Sequence, residues 1–190
     1  MKDLVKLLAA QIGNLISLTE LSSTIGITIP TLKNYLYYLE KTFIIKKVTP
    51  FYRNIRKEIT RSPVFYFYDI GLRNFVIGQF GRLDPVNIGF LFENLIFNLL
   101  RERFPWADIH FWRTSDGAEV DFIIEFPERF IPLEVKFKVL KETRIGRSLK
   151  SFILKYSPPE AWVINISLKG EERIGKTLVR FRPFWELLKT

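Results

Sequence analysis

The chain has 190 residues, 47% of them hydrophobic and 26% charged, which suits a packed core and argues against a disordered chain. It has no cysteine and a single histidine, His110, so disulfide scaffolds, thiolate zinc sites and thiol catalysis are excluded, and histidine-based metal sites and serine–histidine triads are not expected. Any metal must then be hard and oxygen-bound, while the net charge of +9 points to a polyanionic partner.

No apolar run reaches membrane-spanning length, and the opening Met1-Lys2-Asp3 has no secretion signal. A cytoplasmic protein without a membrane partner is expected. The charge is uneven: residues 1–62 carry ten Lys/Arg against four acids, a balance of +6, and the remaining residues carry only +3.

Leu4, Leu7, Leu8 and Gln11-Ile12 form one helical stripe that ends near Gly13-Asn14. Thr19-Glu20-Leu21 opens a short helix that stops at Gly26. A longer helix follows, with Pro30 in its first turn and Leu32, Tyr35, Leu36, Leu39 and Phe43 at helical spacing. Two helices joined by a Gly-containing turn make a helix-turn-helix pattern, whose second helix lies in a DNA major groove. Thr31, Lys33, Asn34, Tyr37 and Lys41 would face the nucleic acid. Phe43 to Val48 reads as a strand and Arg53 to Ile59 as a charged turn before a second strand at Val64 to Tyr68. Arg53, Arg56 and Lys57 would then sit on a wing, suited to phosphate contacts. A competing reading makes these charges a solvated face and the helices a protein-contact module.

Gly89 to Arg103 reads as a strong helix. Glu93 shares its apolar stripe with Phe90, Ile96, Phe97 and Leu100, where a carboxylate is costly unless paired, hydrogen-bonded or bound to a cation. Asn94, Asn98 and Arg101 read as the polar stripe. Three strands are expected next, at Asp108 to Thr114, Ala118 to Phe126 and Ile131 to Lys138, with a hairpin at Pro127–Phe130. A period of two puts Asp121, Glu134 and Lys136 on the polar side of adjacent strands. An amphipathic helix from about Glu142 to Tyr156 follows, then strands at Ala161 to Ser167 and Leu178 to Arg182, and a closing helix from Phe184 to Lys189. Gly170 to Thr177 matches the P-loop pattern, but that motif needs a helix starting at its Lys-Thr end, where a short strand is expected here. The segment reads as a turn, with no ATP binding by this chain.

Helix-borne Glu93, Glu-Val-Asp at 119–121 and Leu-Glu-Val-Lys at 133–136, in this order of elements, resemble the PD-(D/E)XK nuclease superfamily, which includes type II restriction enzymes and archaeal Holliday-junction resolvases. Val120 departs from the proline usual before the aspartate. A wider resemblance rests on Ser62-Pro63-Val64-Phe65-Tyr66-Phe67-Tyr68-Asp69-Ile70-Gly71-Leu72, on Gly89-Phe90-Leu91-Phe92-Glu93-Asn94 and on Arg113 to Phe122. These runs look like the C-terminal half of a prokaryotic, largely archaeal, AAA-type ATPase family, in which a P-loop module precedes a winged helix and a nuclease-like domain.

The resemblance implies an α/β (α+β) chain, with a winged helix-turn-helix over 1–62 and a restriction-endonuclease-like αβββαβ core over 63–190. It implies a Mg²⁺ (or Mn²⁺) site held by Glu93, Asp121 and Glu134, with Lys136 as the fourth catalytic group and Arg113 and Arg147 at flanking phosphates. The expected function is metal-dependent cleavage of DNA; the alternative is a non-catalytic DNA-binding or regulatory module of an AAA-type ATPase. Expected partners are DNA and a P-loop ATPase module, and a homodimer follows by analogy with resolvases.

Overall fold

The computed structural model describes residues 1–52, 62–82 and 87–188. It is a mixed α/β chain that divides into two compact units, Met1–Thr49 with Ile59–Leu95 and Pro50–Glu58 with Ile96–Thr190. Among the described residues there are six α-helices, and no helix is long and apolar enough to cross a membrane.

The first unit begins with α1 (Lys2–Ala10), α2 (Leu18–Ile25) and α3 (Ile29–Lys41), and its boundaries are set by local chemistry. Ser17 caps α2 by accepting from the Glu20 N–H, and Gly26 closes it at φ +72°, a left-handed conformation that costs glycine nothing. Thr28 caps α3 by accepting from the Thr31 N–H, and Pro30 lies in the first turn. Strand β1 (Ile45–Val48) pairs antiparallel with β2 (Val64–Phe67). It starts two residues later than the sequence suggests. Phe43 takes φ +56° and the Ile44 N–H returns to the Leu39 carbonyl, so both residues serve to end α3. The expected wing turn, with Arg53, Arg56 and Lys57, lies outside the described residues.

A short helix, α4 (Ile70–Val76), was not legible in the sequence; Asp69 caps it by accepting from the Leu72 N–H. Arg73 on α4 is fully buried, and its Nε donates to the Ala9 carbonyl at the end of α1, where a cation also meets the negative end of the helix. Helix α5 (Ile88–Arg103) starts in this unit. Asn94, expected on the polar stripe, is instead fully buried. Its Oδ1 accepts from the Phe67 N–H at 2.8 Å and its Nδ2 donates to the Phe67 carbonyl at 2.7 Å, so the amide serves the backbone of β2.

In the second unit, β3 (Asp108–Arg113), β4 (Glu119–Glu125), β5 (Phe130–Val135), β6 (Glu160–Asn165), β7 (Gly170–Ile174) and β8 (Thr177–Pro183) form one sheet in the order β3-β4-β5-β6-β8-β7. The β3–β4, β4–β5 and β7–β8 pairs are antiparallel, and β5–β6 and β6–β8 are parallel. Helix α6 (Arg147–Tyr156) packs Leu149, Phe152 and Ile153 on one face, against Ile123, Ala161, Val163, Val179 and Phe181. Phe51 joins that core, and its N–H donates to the Phe111 carbonyl. The α5 rings Phe97 and, just beyond the helix, Phe104 meet Phe122 and Trp162. Strand β7 carries no strand signal in the sequence, because Glu171-Glu172-Arg173 reads as loop; it turns tightly into β8, with Gly175 at φ +58°. Thr177 thus opens a strand where a P-loop needs a helix. The closing helix is a 3₁₀ turn, Phe184–Leu188.

Candidate functional site

The β4–β5 hairpin brings three of the expected residues together. The β4–β5 ladder runs as far as Phe122 opposite Leu133; beyond it the Asp121 side chain takes over, its Oδ2 accepting from the Val135 N–H at 2.6 Å. Glu134 faces the α6 side of the sheet, opposite Val163 of β6. Lys136 stands just past the end of β5, where its N–H still donates to the Ile164 carbonyl at 2.8 Å. Its Nζ lies 2.6 Å from Glu134 Oε1.

Glu134 is only 8% exposed, and its Oε2 is buried with no hydrogen-bond partner among the described residues. A buried carboxylate oxygen without a donor is costly and asks for a cation or a donor beyond the described residues. Burial raises the pKa of Asp121 from 3.8 to about 7; the Val135 N–H opposes the rise and the neighbouring charge of Glu134 adds to it. Burial alone would lower the pKa of Lys136, but the bond to Glu134 and the fields of Glu134, Asp121 and Glu119 hold its ammonium above the usual lysine range. The arrangement is therefore a lysine cation beside one paired carboxylate and one poised to lose its proton near neutrality.

Glu93 belongs to the first unit, half-buried, where the Tyr66 hydroxyl donates to its Oε1. Of the three ways to tolerate a carboxylate on an apolar stripe, the structure supplies a hydrogen bond. No group of three or more His, Asp or Glu side chains among the described residues is spaced to hold a metal ion. Arg113 pairs with Glu119 at 3.2 Å, and Arg147 is exposed at the start of α6.

On α3, Lys33, Asn34, Tyr37 and Lys41 are exposed, with Lys41 Nζ 5.5 Å from the Tyr37 ring centre. Thr31 is half-buried, and its hydroxyl pairs with that of Thr28. Tyr38, which the sequence did not single out, is 58% exposed and meets Tyr37 edge to face.

A model of a domain of unknown function, DUF4143, matches residues 88–184, more than half of the chain. The chain belongs to the DUF4143 family. Its DUF4143 segment contains Asp121, Glu134 and Lys136, and residues 1–82 match a second domain of unknown function, DUF8612. Uncharacterized proteins of Mycobacterium bovis and Mycobacterium tuberculosis are each 29% identical over 152 residues, covering 78% of this chain and 34% of theirs. An uncharacterized protein of Haemophilus influenzae is 25% identical over 148 residues, 75% of this chain and 35% of its own. The chain thus spans about a third of the length of the curated relatives it matches.

Proposed function

We propose that this DUF4143 protein is a DNA-binding, metal-dependent phosphodiesterase, with a PD-(D/E)XK-type site built on Asp121, Glu134 and Lys136 and a winged helix that presents α3 to DNA. The observation that carries the reading is the buried Oε2 of Glu134, without a partner among the described residues, beside the half-buried carboxylate of Asp121 and a lysine on neighbouring strands. Two carboxylates and no soft ligand suit a hard cation such as Mg²⁺ or Mn²⁺. Asp121 and Glu134 would hold it; when bound, such an ion supplies charge neutralisation and Lewis-acid polarisation at a phosphodiester. Lys136 contributes a fixed positive charge for the negative charge that develops on the phosphoryl oxygens. Asp121 must give up its proton to serve as a ligand, so binding is expected to tighten as pH rises through about 7.

Lys33, Asn34, Tyr37 and Lys41 would contact DNA, the lysines at phosphates. In the longer relatives the same segment would work alongside further modules, and the resemblance makes a P-loop ATPase the expected one. A second reading, a DNA-binding adaptor without catalysis, is favoured by the lack of a three-acid cluster among the described residues. Purified protein incubated with linear, single-stranded and four-way-junction DNA separates the two. Nicking or cutting that needs Mg²⁺ or Mn²⁺ and stops with chelator is the expected result. Salt-dependent binding that ignores chelator, with no product on any substrate, leaves the adaptor. Alanine at Lys33 or Lys41 is expected to weaken binding across sequences and flatten the salt slope by about one unit each.

A further inference from the structure

The sequence places a helix from about Glu142, but α6 begins only at Arg147, with Gly146 as its N-cap. Gly146 has φ −64° and ψ 152°, extended geometry open to any residue, so conformational freedom does not explain a glycine there. Space does. A Cβ at Gly146 would stand 2.7 Å from Glu134 Oε1 and 2.8 Å from Oε2.

The backbone on the helix side is anchored. Leu149 is fully buried one turn into α6, Ile145 packs against the same core, and Thr143 Oγ1 bonds Glu172 Oε1 on β7 at 2.6 Å. Gly170 on β7 repeats the pattern, since a Cβ there would lie 2.7 Å from the Thr143 methyl. Residues 143–146 are thus laid close to the sheet at two glycine contacts, so a side chain added at 146 would displace the Glu134 carboxylate, the free end of a flexible chain.

We infer that Gly146 is a positioning residue for the carboxylate of Glu134, holding its buried Oε2 where it can serve as a ligand to a divalent cation. The inference rests on the metal-site reading above. Displacing a group that orients a ligand lowers metal affinity about 10- to 100-fold in other sites. Gly146→Ser separates this role from helix capping, because serine is at least as good an N-cap as glycine but still brings a Cβ. Shortening the ligand in Glu134→Asp should reopen the space.

The experiment is calorimetric titration of Mn²⁺ into the full chain as wild type, Gly146→Ser, Glu134→Asp and the double variant, with melting curves of each metal-free protein. Gly146→Ser is expected to bind Mn²⁺ at least tenfold more weakly while remaining folded. Glu134→Asp is expected to weaken binding in the wild-type background and strengthen it in the Gly146→Ser background, a reversal that a capping role would not produce. Equal Mn²⁺ affinity in wild type and Gly146→Ser overturns this inference and leaves the metal-site reading standing. No Mn²⁺ uptake by the wild type overturns both. If Gly146→Ser fails to fold, folding of the double variant supports the steric contact; failure of both shows that backbone rather than carboxylate yields, and overturns the inference.

Discussion

Lys136→Met is expected to slow metal-dependent DNA cleavage about 100- to 1,000-fold, the usual cost of removing one charge-stabilising donor from a site. The ammonium sits 2.6 Å from Glu134 Oε1 and is held above the ordinary lysine range, so it is charged across the neutral range. No lysine-type inflection should appear in the rate profile. Lys136→Arg is not expected to rescue, because a planar guanidinium on a longer reach presents its donors differently from a compact ammonium. The same change removes the partner of a carboxylate that is 8% exposed. The lysine side chain is itself 46% exposed, so the cost in stability of the metal-free protein is discounted to about 1–3 kcal/mol. Single-turnover cleavage and thermal melting measure the two effects. A wild-type cleavage rate in Lys136→Met would remove lysine from the chemistry.

Asp121→Asn is expected to stabilise the metal-free protein at about pH 8 by about 2–4 kcal/mol, and to change it little near pH 4. The sign follows from the direction of the shift. Burial lifts the folded-state pKa to about 7 from 3.8, so the native protein holds this proton more tightly than the unfolded chain does. The stability that goes with the proton is fully present below about pH 4 and is lost as pH rises through about 7. Asparagine keeps an oxygen for the Val135 N–H and has no proton to lose, so the difference between the variant and wild type should grow across this window. Mn²⁺ should restore stability to the wild type at the alkaline end and do nothing for Asp121→Asn. Denaturant melts at pH 4, 6 and 8 decide it; parallel stability profiles for the two proteins would show that Asp121 carries no raised pKa.

Elements whose limits are written in adjacent residues were legible in the sequence. Gly26 and Pro30 mark the end of α2 and the first turn of α3 as the sequence reads, while the caps at Ser17 and Thr28 come from the structure. The alternation along β4 and β5 predicted that Asp121, Glu134 and Lys136 would converge, and the hairpin brings them together. Features settled by distant partners were not legible. Asn94 looks like solvent-facing polarity until the backbone of Phe67 is seen beside it. Glu93 stood out correctly as a carboxylate in need of company, but spacing along a helix cannot tell Tyr66 from a metal ion. The five-residue error at the start of α6 has the same origin: helical periodicity continues back to Glu142, while the chain is laid against Glu134 and the core until Gly146. Short α4 and charged β7 gave too few periods for either pattern to register.

Glu134 Oε2, buried without a partner among the described residues, is assigned to a cation, and calorimetric titration of Mn²⁺ into wild type and Glu134→Ala at about pH 8, where Asp121 has lost its proton, tests that assignment. The predicted result is a saturable isotherm for the wild type that disappears in a variant still folded by circular dichroism. A flat titration for both folded proteins, or equal binding by both, would show that Glu134 holds no cation.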